Sequence, residues 1–255
     1  MHDTAAILGR ATVAYLLAVA GGLASVLLGV SHQRLCALIS LAAGTLTGVT
    51  VCAILPETVA VLRWWELAVA CGSGYLVFSL ISRYVFHVCP ACAASHFDEA
   101  TTHRFSEIAA GLIVALAIHS TMDGVAVAAG HEAREATGQL DLSLLLAVCV
   151  HKVPEGLALG ALLLGAGFRR GQTLGWVAAV EATTLLGAGL GRVGLQHVSI
   201  FWIDAILAHV GGGFVFLAVH AVFGELVKHS RRAVLGNFIA GVALIAALNL
   251  VMHFW

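Results

Sequence analysis

Charge is scarce in this chain. Only 11% of its 255 residues are Asp, Glu, Lys or Arg while 60% are hydrophobic, which excludes a water-soluble domain of ordinary composition. The formal net charge is −1 and the basic residues are scattered, so nothing points to nucleic acid as a partner. The opening MHDTAAILGR holds one Arg and no obvious small-residue cleavage site, so the first apolar stretch is expected to be retained rather than removed as a signal peptide.

What the chain does have is apolar length. Runs of about 20 residues, enough to cross a hydrocarbon core, recur at 5–29, 35–61, 66–86, 106–130, 140–167, 172–191, 201–227 and 233–254. These make eight expected spans of an all-α polytopic membrane protein, with short connections and no room for a separate soluble domain. A single transmembrane domain over 1–255 is therefore expected, carrying one longer loop at about 87–105. With the N-terminus outside, the cytoplasmic side holds Arg34, Arg83, Arg104, Arg169, Arg170, Lys228, Arg231 and Arg232, against Arg10, Arg63, Arg134 and Arg192 outside. That bias favours both termini extracytoplasmic.

Two internal echoes organise the spans. "HSTMDG" (119–124) aligns with "HKVPEG" (151–156), matching His119 with His151, Asp123 with Glu155 and Gly124 with Gly156. Histidine and acid at i and i+4 share one helix face, and both pairs fall near the middle of their spans. "GTLTGVTVCAILPE" (44–57) lies on "GGFVFLAVHAVFGE" (212–225), pairing Gly44 with Gly212 and Glu57 with Glu225. Related segments of opposite orientation around a central pair suggest three helices, two, then three, as in an inverted-repeat transporter.

Ionisable groups inside a bilayer are costly and mark function by default. Four such groups on two successive spans are hard to read as helix glue, although a lone intramembrane histidine could be that. Imidazole nitrogens with carboxylate oxygens suit a borderline divalent metal, zinc first and ferrous iron or manganese next. Pro154, beside Glu155, is expected to open the helix locally. Glu181 in span six, with no basic residue nearby in sequence, reads as a pathway or site residue. Lys152 follows His151 and can reach Glu155 and Glu181, while Glu57, Ser120, His220 and Glu225 are candidates for lining or modulating the pathway. His209 and His253 read as packing residues, and Cys36, Cys52, Cys71 and Cys149 as small apolar ones. The loop "HVCPACAASHFDEATTHR" carries His87, Cys89, Cys92 and His96 with Asp98, Glu99 and His103. On the cytoplasmic side its thiols stay reduced, which favours metal binding over a disulfide.

With those residues assembled, the chain resembles the ZIP family of divalent-metal transporters along essentially its whole length. The resemblance rests on "HSTMDG", "HKVPEG" and "ILPE" closing span two, with eight spans and a His-rich loop after the third. It implies metal uptake toward the cytoplasm, a 3+2+3 helix arrangement with inverted repeats, and a transport site made by His119, Asp123, His151 and Glu155 with Glu181 beside it. Zinc, or else iron, manganese or cadmium, is then cargo and not a prosthetic group, and no enzyme activity is expected. The expected surroundings are a bilayer, in the inner membrane of a bacterium, and a homodimer is compatible with this. Ser120 and Lys152 stand where family members commonly have asparagine and an acidic or amide residue that help hold a second metal, which puts a binuclear centre in doubt.

Other functions fit less well. A metal exporter has the same site chemistry and is separated by whether expression rescues or worsens growth under metal starvation. A haem electron-transfer protein would use paired histidines, but an acid one turn from each would press on the macrocycle. A membrane metalloprotease lacks its His-Glu-x-x-His signature.

Overall fold

The computed structural model describes residues 2–28, 32–85, 102–137, 140–226 and 230–253, which contain helices and no strand. In chain order these are α1 (His2–Leu28), α2 (His32–Val49), a π-helical turn (Thr50–Ile54), α3 (Leu55–Val61), α4 (Trp64–Leu80) with a second π turn (Ile81–Val85), α5 (Thr102–Thr137), α6 (Leu140–Gly165), α7 (Arg170–Glu181), α8 (Thr183–Leu195), α9 (Ile200–Leu226) and α10 (Arg231–His253). Seven stretches among the described residues are long and apolar enough to cross a membrane: Thr4–Leu28, Ala37–Val61, Trp64–Arg83, Leu144–Leu164, Arg170–Leu195, Ile200–Phe223 and Arg231–Val251. Helix α5 is outside that set. At 36 residues it is nevertheless longer than the roughly 20 residues needed to span, and it carries the first histidine–acid pair.

Local chemistry marks several helix ends. The backbone N–H of Arg63 donates to Glu66 at 2.8 Å and that of Arg169 to Gln172 at 3.0 Å, each closing one half of a capping box at the start of α4 and α7. Helix α6 stops at Gly167, whose φ of 85° is open to glycine and strained for other residues. Span six is broken just after Glu181: α7 ends there, Ala182 turns, and α8 resumes at Thr183. The Thr183 hydroxyl shares its proton between the carbonyls of Ala117 (2.9 Å) and Val180 (2.8 Å), tying the break to α5.

The π turn in span two has a cause that can be named. Pro56 has no N–H, so the carbonyl of Cys52, four residues earlier, has no helical donor. Asn249 of α10 supplies one through its side-chain amide, while the Leu55 N–H reaches back five residues to Thr50. Pro154 behaves otherwise. Helix α6 runs through it unbroken from Leu140 to Gly165, where the sequence had led us to expect a local opening. Its neighbour α1 packs closely against this part of α6.

That packing is one of four of a kind. Gly21 of α1 and Gly156 of α6 face each other so that a Cβ on either would land on a carbonyl oxygen of the other helix, Val153 and Ala18 respectively. The same reciprocal contact joins Gly124 of α5 with Gly187 of α8, Gly44 of α2 with Gly241 of α10, and Gly74 of α4 with Gly212 of α9. Small residues let helices approach to backbone contact where lipid offers no hydrophobic drive for association. These four are also the most extensive helix pairings in the fold. Helices α5 and α6 pack on one another and on α9 and α2 between them.

Candidate metal centre

Helices α5 and α6 each present a histidine and an acid one turn apart, and the packing of the two brings all four side chains together. One ligand atom from each of His119, Asp123, His151 and Glu155 lies within 4.8 Å of the other three. Nε2 of His119 is 3.5 Å from Asp123 Oδ2 and 3.9 Å from Glu155 Oε2; Nε2 of His151 is 3.1 Å and 4.0 Å from the same two oxygens. Tetrahedral ligands at about 2.0–2.1 Å from zinc stand about 3.3–3.4 Å apart, so a small contraction closes these groups on one ion. None of the four side chains is more than 8% exposed.

The hydrogen bonding favours a cation here. The Nδ1–H of His151 donates to the Ala147 carbonyl at 2.9 Å, which turns Nε2 toward Asp123. An unprotonated Nε2 and a carboxylate oxygen at 3.1 Å put two lone pairs face to face unless a proton or metal sits between them. Nδ1 of His119 and Oδ1 of Asp123 are buried without a hydrogen-bond partner, a costly arrangement in a bare core. Phe78 and Phe214 stand edge-on to the two imidazoles, with ring centroids 6.3 and 6.1 Å away.

Beside the four ligands lies a buried ammonium. Lys152 is wholly buried, and its Nζ is 2.9 Å from Asp123 Oδ2, 2.7 Å from Glu155 Oε2 and 3.0 Å from Glu181 Oε2. It also donates to the Ser120 hydroxyl at 2.7 Å. That hydroxyl is 3.2 Å from an oxygen of Glu155 and of Glu181, to one of which it donates. The three carboxylates against one ammonium leave a formal charge of −2 when both histidines are neutral.

A cavity of about 90 Å³ touches His119, His151 and Glu155 and runs on past Leu116, Pro154, Ala158, Leu217, Ala221, Ile39, Ala42 and Ala43. These residues lie toward the ends where α2 and α5 begin and α6 and α9 finish. Toward the opposite ends of these helices Val49, Ala53, Ile54, Ala126, Val127, Ile203, Leu207 and Val210 belong to one buried apolar cluster.

The remaining sequence candidates are spread out. Glu57 sits half-buried on α3. The Nδ1–H of His220 donates to the Phe216 carbonyl (2.9 Å) and its ring stacks on that of Phe216, next to cavity-lining Ala221. His209 bonds Ser73 at 2.8 Å, joining α9 to α4, and Cys52, Cys71 and Cys149 are free thiols. His87, Cys89, Cys92 and His96 lie outside the described residues, as does the side chain of Glu225. Two residues escaped the sequence reading. Asp204, 2% exposed near the start of α9, faces the electrostatic influence of Glu57; an acid one turn into "IFWIDAILAHV" was the available signal. Asn249 had none, because its role depends on Pro56 in a remote span.

The sequence profile described as "ZIP Zinc transporter" matches residues 90–249, more than half of the chain. The chain belongs to the ZIP zinc transporter family. The match includes His119, Ser120, Asp123, His151, Lys152, Glu155 and Glu181, so the whole cluster falls in the part that defines membership. A protein of Schizosaccharomyces pombe (strain 972) described as an uncharacterized zinc transporter is 28% identical over 131 residues, 48% of this chain. The matched stretch is only 28% of that relative's length, so this ZIP chain corresponds to less than a third of it. Family and apolar helices together make the molecule an integral membrane protein.

Proposed function

We propose that this ZIP family member carries divalent transition-metal ions, zinc foremost, across the membrane to the cytoplasm, with the metal as cargo and no enzymatic step. The observation that carries this is the set of four ligand atoms on α5 and α6 within 4.8 Å of one another. His119, Asp123, His151 and Glu155 are the cargo ligands. Lys152, Ser120 and Glu181 form the flank, and the formal −2 of the cluster matches one dication. One metal, not a bridged pair, is the load, with the Lys152 ammonium standing where a second cation would.

The architecture we propose is a single domain of eight spans in a 3+2+3 inverted repeat, with α5 the fourth span and both termini extracytoplasmic. The glycine contacts support it. Exchanging α1 with α7–α8, α2 with α9, α4 with α10 and α5 with α6 carries the Gly21–Gly156 contact onto Gly187–Gly124 and Gly44–Gly241 onto Gly212–Gly74. It also superposes the two histidine–acid pairs. With this topology the cavity beside His119, His151 and Glu155 runs toward the cytoplasm and the packed apolar cluster lies outside, so the site communicates with the cytoplasmic side. We further propose that Cys89 and Cys92 with His87 or His96 bind metal in the cytoplasmic loop, apart from the pathway, and that Glu57, His220 and Glu225 border the route.

Initial-rate zinc uptake into proteoliposomes, with competing metals and imposed pH gradients, tests the reading. Zinc is expected to accumulate in vesicles holding the wild-type chain and not in those holding Asp123→Ala. Equal uptake by both would remove the cluster from the pathway, and growth that worsens under zinc starvation on expression would mark an exporter.

A further inference from the structure

Lys152 does not merely neighbour the four ligands; it bonds the same atoms. Asp123 Oδ2 is 3.1 Å from His151 Nε2 and 2.9 Å from Lys152 Nζ. Glu155 Oε2 is 3.9 and 4.0 Å from the two imidazoles and 2.7 Å from Lys152 Nζ. A metal held by His119, Asp123, His151 and Glu155 would draw on oxygens that the ammonium already holds. Cargo and ammonium therefore contend for two shared carboxylate oxygens, and repel one another strongly in a medium of low dielectric.

The ammonium has somewhere to retreat. Glu181 Oε2 at 3.0 Å and the Ser120 hydroxyl at 2.7 Å both lie within its reach, and neither belongs to the cargo set. Lys152 can thus give up Asp123 and Glu155 to an incoming metal while keeping Glu181 and Ser120. When the metal departs, it can re-engage the oxygens left behind. Without it, departure would expose three carboxylates to one another in a buried site, a charge cluster that a membrane protein cannot move or enclose cheaply.

We propose that Lys152 is a tethered counter-cation that replaces the cargo during the return half of the transport cycle, so that the carrier resets without a second metal or a counter-transported ion. This rests on the transport reading above and names how that same site is reset. A carrier with Lys152 can run net uptake. One without it is confined to exchanging one metal for another, because its metal-free cluster would hold a formal −3 with no cation among the three carboxylates, against −2 with the ammonium in place.

The test compares two rates in proteoliposomes: uptake of radioactive zinc into vesicles holding only chelator, which needs metal-free return, and uptake into vesicles preloaded with cold zinc, which does not. In the wild type the two should be of the same order, and net uptake should not require sodium, potassium or a proton gradient. Lys152→Gln should depress net uptake about tenfold more than exchange, and Lys152→Arg, which keeps the charge, should restore the ratio to within about threefold. A Lys152→Gln protein that slows both modes alike, or keeps the wild-type ratio, overturns the proposal. So does wild-type net uptake that depends on a counter-ion, a result independent of whether any variant folds. Absence of both modes in the wild type would instead reject transport itself.

Discussion

His151 and Asp123 meet across the α5–α6 interface at 3.1 Å, with the far side of the imidazole fixed on the Ala147 carbonyl at 2.9 Å. A backbone carbonyl behind a ligating histidine sets the tautomer, leaving Nε2 to face the metal. His151→Ala removes one of four ligands and leaves Asp123 to Lys152 and His119. Zinc uptake is expected to fall by on the order of 10–100-fold or more, with the protein still inserted and eluting as a single species from a sizing column. Asp123→Ala should do the same. Wild-type uptake by either would sink the ligand assignment.

Acid should weaken loading. Both imidazoles must offer an unprotonated Nε2, so protons compete with the metal; falling pH raises the half-saturating concentration and rising pH lowers it. Each imidazole that protonates withdraws one ligand, at a limiting cost of about tenfold in its competent fraction per pH unit. Uptake measured between about pH 7.5 and 5.5 with symmetric buffers checks the sign, and a half-saturation that stays constant over that range would contradict histidine ligation.

The histidine–acid pairs were legible because i, i+4 spacing fixes a helix face whatever the surroundings, and the spans because apolar length has few other meanings in such a composition. What escaped was set by contacts between remote segments. The π turn at Thr50–Ile54 follows from Pro56 losing a donor and Asn249 supplying one, and hydropathy records neither. Pro154 was expected to open α6, yet the same missing donor there leaves the helix continuous. Lys152 was expected to reach Glu155 and Glu181, as it does; that it also holds Asp123 depends on the depth at which α5 and α6 dock. The glycine pairing was half visible, in Gly124 with Gly156 and Gly44 with Gly212, but which helices those glycines join is a property of the fold.

That pairing sets a stability prediction. Gly187→Val places a side chain on the Thr121 carbonyl of α5 and Gly156→Val on the Ala18 carbonyl of α1, with backbone on both sides and nothing flexible to yield. Each is expected to cost about 2–4 kcal/mol, enough to lower the melting temperature in detergent markedly. Gly189→Ala and Gly236→Ala, where a Cβ meets open space, should melt within a few degrees of wild type, as expected for changes within about ±0.5 kcal/mol. Equal losses at all four positions would show that close backbone approach does not govern the response.

Asp204 and Glu57 offer the last prediction. Asp204 is 2% exposed near the start of α9, and its electrostatic neighbour is a second carboxylate on α3, which packs against α9. Along α9 and span two, buried Leu207, Val210 and Ile54 stand between these acids and the central cluster, and neither acid belongs to the grouped ligand atoms. In the proposed topology both sit at the outer end of the route, where two negative charges near low-dielectric walls raise the local concentration of cations. Asp204→Asn and Glu57→Gln are therefore expected to raise the half-saturating zinc concentration about three- to tenfold and change the maximal rate less than about twofold, with the difference shrinking as salt rises. Steady-state uptake at two ionic strengths decides it. A fall in maximal rate at constant half-saturation would assign Asp204 to movement of the α3–α9 contact instead of attraction of the ion.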